Sequence, residues 1–290
     1  MRVMGIIQLM LFLAAFSLKP YELAGQELFG KAKNNYRNFS EKRTMVVVNE
    51  TDFTDLSIAD AVKSGWRISL YELCSVDKFN KIMTDTNYYF LLRVEGKFRK
   101  EREANLEFLT LVKGSPEAHN GIEKMDEIVS MPLQSVGDES GKAFILMPAL
   151  INIMQEHILN VSEDILKAYV GNSFYSNRVD GIGDKVLMIE RVDIGSNITD
   201  QEIVNLFGEN IVLSDPDEIA TALSNAKEGT VVGFTVSPSD GGSRGYSYKM
   251  LIDTRTHELI FYRRHRISSR NPAGFTLEDL RRISTPYRIK

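Results

Sequence analysis

The 290-residue chain carries one succession of apolar and polar segments twice. An apolar run at residues 45–48 is followed by Asp52, and a second run at residues 186–189 is followed by Asp193 at the same distance. Self-similarity in a fixed order indicates that one supersecondary unit has been duplicated. We therefore expect two copies of one unit, which we call copy one and copy two.

Each copy has the segment pattern βαβαβββ. Short β-branched and apolar runs predict the strands, and helical spacing behind a capping residue predicts the helices. Gaps rich in charged residues, glycine or proline separate the last three strands, which is typical of antiparallel hairpins. The predicted strands are 45–48, 67–73, 88–98, 106–112 and 127–133 in copy one, and 186–189, 210–213, 230–236, 246–252 and 258–267 in copy two.

The predicted helices include two in each copy and one between the copies. Ser75 and Asp215 are N-cap candidates for the second helix of copy one and of copy two. Residues 149–159 place Leu150 and Ile153 on one helical face and form a helical connector. We predict an α+β fold, a tandem duplication of a βαβαβββ unit in which each mixed sheet has its helices on one face. The expected parts are a signal peptide at 1–25, a first domain with the connector helix at 26–160, and a second domain at 161–290.

Residues 1–25 have the order of a secretory signal peptide. Arg2 precedes an apolar stretch at residues 3–18, and the segment ends in the small residues Ala24 and Gly25. The apolar stretch is shorter than the ~20 residues of a membrane span. We predict cleavage after Gly25 and a periplasmic or secreted protein without a transmembrane span; the alternative is an uncleaved membrane anchor.

The amino-acid composition excludes a disulfide within the chain and disfavours nucleic acid as a partner. Cys74 is the only cysteine, so the chain cannot form an intramolecular disulfide and must be held together by its hydrophobic cores. Hydrophobic residues make up 43% and charged residues 26%, as in ordinary globular proteins. The net charge of -4 argues against nucleic acid as a partner.

The last hairpin of copy two has a sequence pattern similar to one that occurs in known families of domains. Ile252 and Asp253 end a strand, residues 256–258 form a Thr-His-Glu turn, and an apolar strand follows. The pattern over residues 186–267 resembles the βαβαβββ unit of TolB-type amino-terminal domains and of outer-membrane assembly proteins related to the curli secretion channel. Their strand ends in IDA and turns through TGE, so His257 stands where they have glycine.

The resemblance implies a periplasmic envelope protein that binds other proteins and catalyses no reaction. The whole chain is also similar to uncharacterised secreted proteins of Gram-negative bacteria.

The candidate catalytic residues do not form a recognisable motif. None of the four histidines has the spacing of a metal site. Cys74 precedes a predicted helix whose N-terminus favours a thiolate, but a buried inert thiol is the preferred interpretation. Asp52 and Asp193 recur in both copies and are interpreted as loop caps. We predict no catalytic residue, no metal and no cofactor.

The alternative to a binding module is an enzyme or small-molecule binder with its site between the copies. An enzyme of this kind would recruit Cys74, Asp52, Asp193 and His157. We expect instead a non-catalytic exported interaction or assembly module, with the connector helix and the basic tail as contact surfaces.

The tail of copy two is strongly basic although the chain is acidic. Alternation along the last strand sends Arg264 and Arg266 to the same face. An anionic surface or an acidic envelope protein is one expected partner; protection of an edge strand by charge is the alternative. The predicted binding residues are Arg264, Arg266, Arg281 and Arg282.

Overall fold

A computed structural model describes most of the chain. The predicted signal peptide lies outside the described residues, apart from positions 21 and 22, and so does the predicted turn at Gly241. The described residues are 21–22, 36, 38–97, 103–163, 175, 178–239 and 245–288.

Copy one forms a mixed sheet flanked by helices. The strand order is β3-β2-β4-β5-β6, and β1 pairs with β4. Strand β2 is parallel to both β3 and β4, whereas β4, β5 and β6 are antiparallel neighbours. The elements are β1 Tyr21–Glu22, β2 Arg43–Val47, α1 Phe53–Gly65, β3 Leu70–Cys74, α2 Val76–Ile82, β4 Tyr88–Lys97, β5 Leu106–Lys113, β6 Asp126–Ser135 and α3 Lys142–Glu163.

Copy two repeats this topology in the order β8-β7-β9-β10-β11. Strand β7 is parallel to β8 and β9, and the last three strands are antiparallel. The predicted α+β fold with a duplicated unit is therefore confirmed, strand for strand. The elements are β7 Val186–Ile189, α4 Asp200–Phe207, β8 Ile211–Leu213, α5 Pro216–Ser224, β9 Thr230–Val236, β10 Tyr246–Asp253, β11 Leu259–Arg266, α6 Leu277–Ile283 and α7 Thr285–Arg288.

Side chains just before the helices fix where those helices begin. The Asp52 carboxylate accepts hydrogen bonds from the backbone amides of Thr54 and Asp55. Ser75 caps α2, as predicted. Asp215 caps α5, where Pro216 is the first helical residue. These caps satisfy amides that the first helical turn leaves without partners.

The two helices that follow the first two strands of copy one lie on opposite faces of the sheet, which corrects the predicted single face. Phe79 of α2 packs on Phe90 of β4 with ring centroids 5.0 Å apart, and Asp55 of α1 bonds to Arg93 of β4. Side chains three residues apart on a strand point to opposite faces. The chain crosses from β2 to β3 in one direction and from β3 to β4 in the other. Two right-handed crossovers of opposite direction place their helices on opposite faces.

Copy two shows the same division. Ile203 and Phe207 of α4 pack in a core on one face of the sheet, whereas Ile219 and Leu223 of α5 belong to a core on the other face. The face of α5 is continuous with the core of copy one. Phe108 of β5 and other side chains of copy one thus share a core with copy two.

Helix α3 is the predicted connector, and most of it is buried. It packs on α1 and β6, with Leu146, Leu150 and Met154 fully inside. Among the described helices it alone has the length and apolarity of a membrane span, with a mean hydropathy of 1.3. A buried core helix meets the same criterion, and burial explains the composition here. The expectation that this helix is a contact surface stays a prediction for its exposed side chains, such as Leu159.

Candidate functional site

The four residues that an enzyme would recruit lie in separate sets of contacts. Cys74 is buried at the end of β3, and burial raises the pKa of its thiol to about 11. His157 of α3 lies between the hydroxyls of Tyr36, 3.5 Å from Nε2, and Tyr175, 3.2 Å from Nδ1. Burial lowers the pKa of His157 to about 3, so the imidazole is neutral at pH 7.

Asp52 belongs to a charged cluster at the carboxyl end of β2. Arg93 of β4 contacts Asp52, and its Nε lies 2.8 Å from Asp55 and its Nη1 3.0 Å from Glu107. Burial lowers the pKa of Arg93, but the carboxylates of Asp55 and Glu107 outweigh burial and raise it. The arginine is thus held as a cation among three carboxylates, and the cluster fixes α1 to the sheet.

Asp193 occupies the corresponding place in copy two, but its partner comes from the connector. Lys142 Nζ lies 2.7 Å from Asp193 and 2.8 Å from Glu190. The Thr235 hydroxyl also donates to Asp193. Asp193 is not the N-cap of a helix, so its role is to join the start of α3 to copy two. The two repeated aspartates therefore hold helices on their sheets in different ways.

A third cluster surrounds a buried lysine that the sequence analysis did not single out. Lys249 of β10 and Asp279 of α6 are each 1% exposed, with Nζ 2.8 Å from Oδ2. The same Nζ lies 2.8 Å from Nδ1 of His265, and Arg263 contacts Asp279 at 3.0 Å. Burial lowers the pKa of Lys249, and the Asp279 carboxylate opposes this.

Geometry assigns this lysine cluster a structural role. Asp279 is also part of the capping box of α6, where it receives hydrogen bonds from Thr276. The cluster therefore joins the helix start to two strands of the sheet. In the sequence, this cluster is indicated by a lysine among the apolar residues of β10. Its partner, Asp279, lies 30 residues away and is not apparent from the sequence.

The four predicted arginines are divided between two faces of the second sheet. Arg264 and Arg266 share the face of Tyr262, and the guanidinium of Arg264 lies 5.1 Å from the ring centroid of Tyr246. Arg281 and Arg282 lie on α6, which covers the opposite face. The structure brings each pair together but does not bring the two pairs into one patch.

The corresponding edge strand of each sheet exposes apolar side chains. Among the strands that the structure describes, β3 ends the first sheet and β8 ends the second. On β3, Leu70 is 70% and Leu73 46% exposed, and on β8 Val212 is 43% and Leu213 42% exposed. Sequence reasoning treated these runs as ordinary strands, because an apolar run does not show that a strand is at an edge.

A cavity of about 500 Å³ lies between α3 and the turn that joins β10 to β11. Glu156 of α3, Arg178, and His257 and Glu258 of the turn are among its lining residues. His257 has φ 56°, the left-handed conformation that favours glycine. This histidine therefore adopts a backbone conformation that glycine adopts without strain.

No family model, curated protein or solved structure matches this chain. The resemblance to TolB-type and curli-related domains stays a prediction.

Proposed function

We propose that the chain is an exported, non-catalytic interaction or assembly module of the cell envelope that binds proteins. The observation that carries this proposal is the pair of apolar edge strands, β3 and β8, at corresponding places in the two copies. An edge strand presents backbone donors and acceptors, and a protein partner can pair with them by adding a strand. The predicted signal peptide supports the export part of the proposal.

The opposite edge of the second sheet shows what a protected edge looks like in this chain. Strand β11 carries Arg263, Arg264 and Arg266, and charge on an edge strand discourages pairing with other chains. Strand β8 instead presents valine and leucine, and β3 presents leucine beside a single carboxylate, Glu72, which is paired with Arg43 and Lys78. The contrast favours protection as the role of the β11 arginines and association as the role of the two apolar edges.

The charged clusters also support a non-catalytic function. Arg93, Lys142 and Lys249 each contact carboxylates of the chain itself within hydrogen-bond distance. Cationic groups enclosed in this way stabilise helix positions. A catalytic acid, base or nucleophile would need access to a substrate.

Crosslinking in living cells tests the proposal. We expect one reproducible envelope protein to be captured by the wild type and lost in Leu70→Lys/Val212→Lys, because a charge disfavours strand addition. The matched control is Arg266→Ser/Arg281→Ser, which should retain the partner. N-terminal sequencing of the periplasmic protein should begin at Gln26. Equal capture by the wild type and the edge variant would contradict the proposal.

The cavity beside His257 favours a second candidate function, the binding of a small molecule between the connector and copy two. Its volume lies within the range of ligand pockets. A left-handed non-glycine residue is a feature of some binding sites. Thermal-shift screening of polar metabolites against the wild type and Glu156→Leu tests this function. A ligand that stabilises both proteins equally would not use this cavity.

A further inference from the structure

An open groove of about 780 Å³ runs beside the exposed edge of the second sheet. Its floor is mostly apolar and is formed by strands β7 and β8, by Thr230 at the start of β9 and by one side of α5. Val212 of β8 lies in this floor, so the groove adjoins the edge strand. The apolar floor residues are Val186, Met188, Val212 and Ala222.

The rim of the groove is acidic. It carries four carboxylates and one ammonium group, from Asp215, Asp217, Glu218, Glu228 and Lys227. Asp215 and Glu218 also form the capping box of α5, and Glu228 contacts Arg255 in an exposed ion pair. Asp217 is exposed on the first turn of the helix. The excess of carboxylates selects for a cationic partner.

A partner in the groove could also pair with the backbone of the edge strand β8. Within the described part of the chain, β8 pairs only with β7, so its other side faces outward. Side chains of a strand added to β8 would alternate between the groove and the opposite face of the sheet. An extended segment could therefore place basic side chains near the carboxylates while its backbone pairs with β8.

The corresponding edge of copy one lacks this charge. Helix α2 beside β3 carries Asp77 together with Lys78 and Lys81, and Glu72 of β3 contacts both Arg43 and Lys78. Cationic and acidic groups are thus mixed along that edge. A preference for cationic segments is expected from copy two alone.

We propose that the groove beside β8 and α5 binds an extended protein segment in which basic and apolar residues alternate. This inference rests on the proposed function and names the partner class for one of the two edges. Charge complementarity sets the preference for the partner, and backbone pairing with β8 sets its extended conformation.

The test uses a fluorescent, capped peptide of seven residues with alternating lysine and valine, and follows its binding to the mature protein by anisotropy. Binding should weaken as salt is added, because exposed charges are screened. Asp217→Asn/Glu228→Gln should weaken it by about tenfold. Asp60→Asn/Glu139→Gln removes two exposed carboxylates of copy one and should leave the affinity unchanged.

Two further peptides separate charge from backbone pairing. A glutamate-valine peptide should not bind, and a lysine-valine peptide with methylated amide nitrogens on one strand edge should lose its affinity. Equal binding of the glutamate peptide, or unchanged affinity in Asp217→Asn/Glu228→Gln, would overturn the inference. So would full affinity of the methylated peptide. Loss of peptide binding with continued edge-dependent capture in cells would refute this inference and leave the proposed function standing.

Discussion

The buried ion pair between Lys249 and Asp279 gives the sharpest prediction about stability. The substitution Asp279→Asn keeps the size of the side chain and removes its charge. The ammonium of Lys249 then stays buried, with Nδ1 of His265 at 2.8 Å as an acceptor. Asparagine at 279 can still accept hydrogen bonds from Thr276 with its one oxygen, but its NH2 group then faces Nη1 of Arg263, so the loss combines the missing charge with one lost acceptor.

The magnitude follows from the distance and the burial. Two opposite charges 2.8 Å apart attract by about 6 kcal/mol at an effective dielectric constant of 20. Breaking a buried pair costs about 3–5 kcal/mol in measured cases. Since His265 remains beside the ammonium, we expect Asp279→Asn to lower the free energy of unfolding by about 3 kcal/mol. Lys249→Met should cost about 1–2 kcal/mol, because Arg263 still pairs with Asp279.

Equilibrium urea unfolding at pH 7 and pH 10 measures both effects. Burial lowers the pKa of Lys249, and without the carboxylate nothing comparable opposes that shift. The folded variant then binds fewer protons than the unfolded chain between the two pKa values, so its stability rises with pH. The penalty of Asp279→Asn should be largest at pH 7 and smaller at pH 10. A penalty below about 0.5 kcal/mol, or one that is equal at both pH values, would refute the buried-pair account.

Three other predictions follow from single contacts. Burial raises the pKa of Cys74 to about 11, so a maleimide should label the folded protein at pH 8 at least about a hundredfold more slowly than the urea-unfolded protein. Equal labelling rates would contradict the burial of this thiol. His257→Gly should raise the free energy of unfolding by about 0.5–1 kcal/mol in urea titrations, since glycine adopts a φ of 56° without strain, and destabilisation would contradict this reasoning. Lys142→Met should lower that free energy by about 2–3 kcal/mol, because it leaves Glu190 and Asp193 without their cation; an unchanged urea midpoint would show that the link between α3 and copy two is unimportant.

The order of elements could be predicted from the sequence because each element has a local signal. Strands β7 at Val186–Ile189 and β9 at Thr230–Val236 have the predicted bounds. The capping side chains of Ser75 and Asp215 also act as expected. Local propensity and capping depend on neighbours in sequence, and such neighbours are visible in one chain.

The placement of helices on the sheet faces could not be read from local patterns. The predicted single face was wrong because α1 lies in the crossover from β2 to β3 and α2 in the crossover from β3 to β4. These two crossovers run in opposite directions across the sheet. The direction depends on strand order, and strand order is set by pairing between distant segments. The exposure of Leu70 and Val212 has the same origin, since an apolar strand is buried or exposed according to its place in the sheet.

The polar pairs between distant residues could likewise not be predicted from the sequence. Lys249 and Asp279 are separated by 30 residues, and Lys142 and Asp193 by 51. Nothing local to these residues indicates a partner. The repetition of Asp52 and Asp193 did indicate a shared position after the first strand, although the two aspartates hold different cations.

Photocrosslinking at single positions in living cells tests the central claim most directly. A photoactivatable residue replaces Leu70 or Val212 on the two edge strands, and Asp60 or Glu139 serves as an exposed control. The proposed function predicts a discrete crosslinked envelope protein from at least one edge position and none from the controls. The same crosslinked protein from the controls, or no crosslinked product from either edge, would contradict the claim that the apolar edges are the binding surfaces.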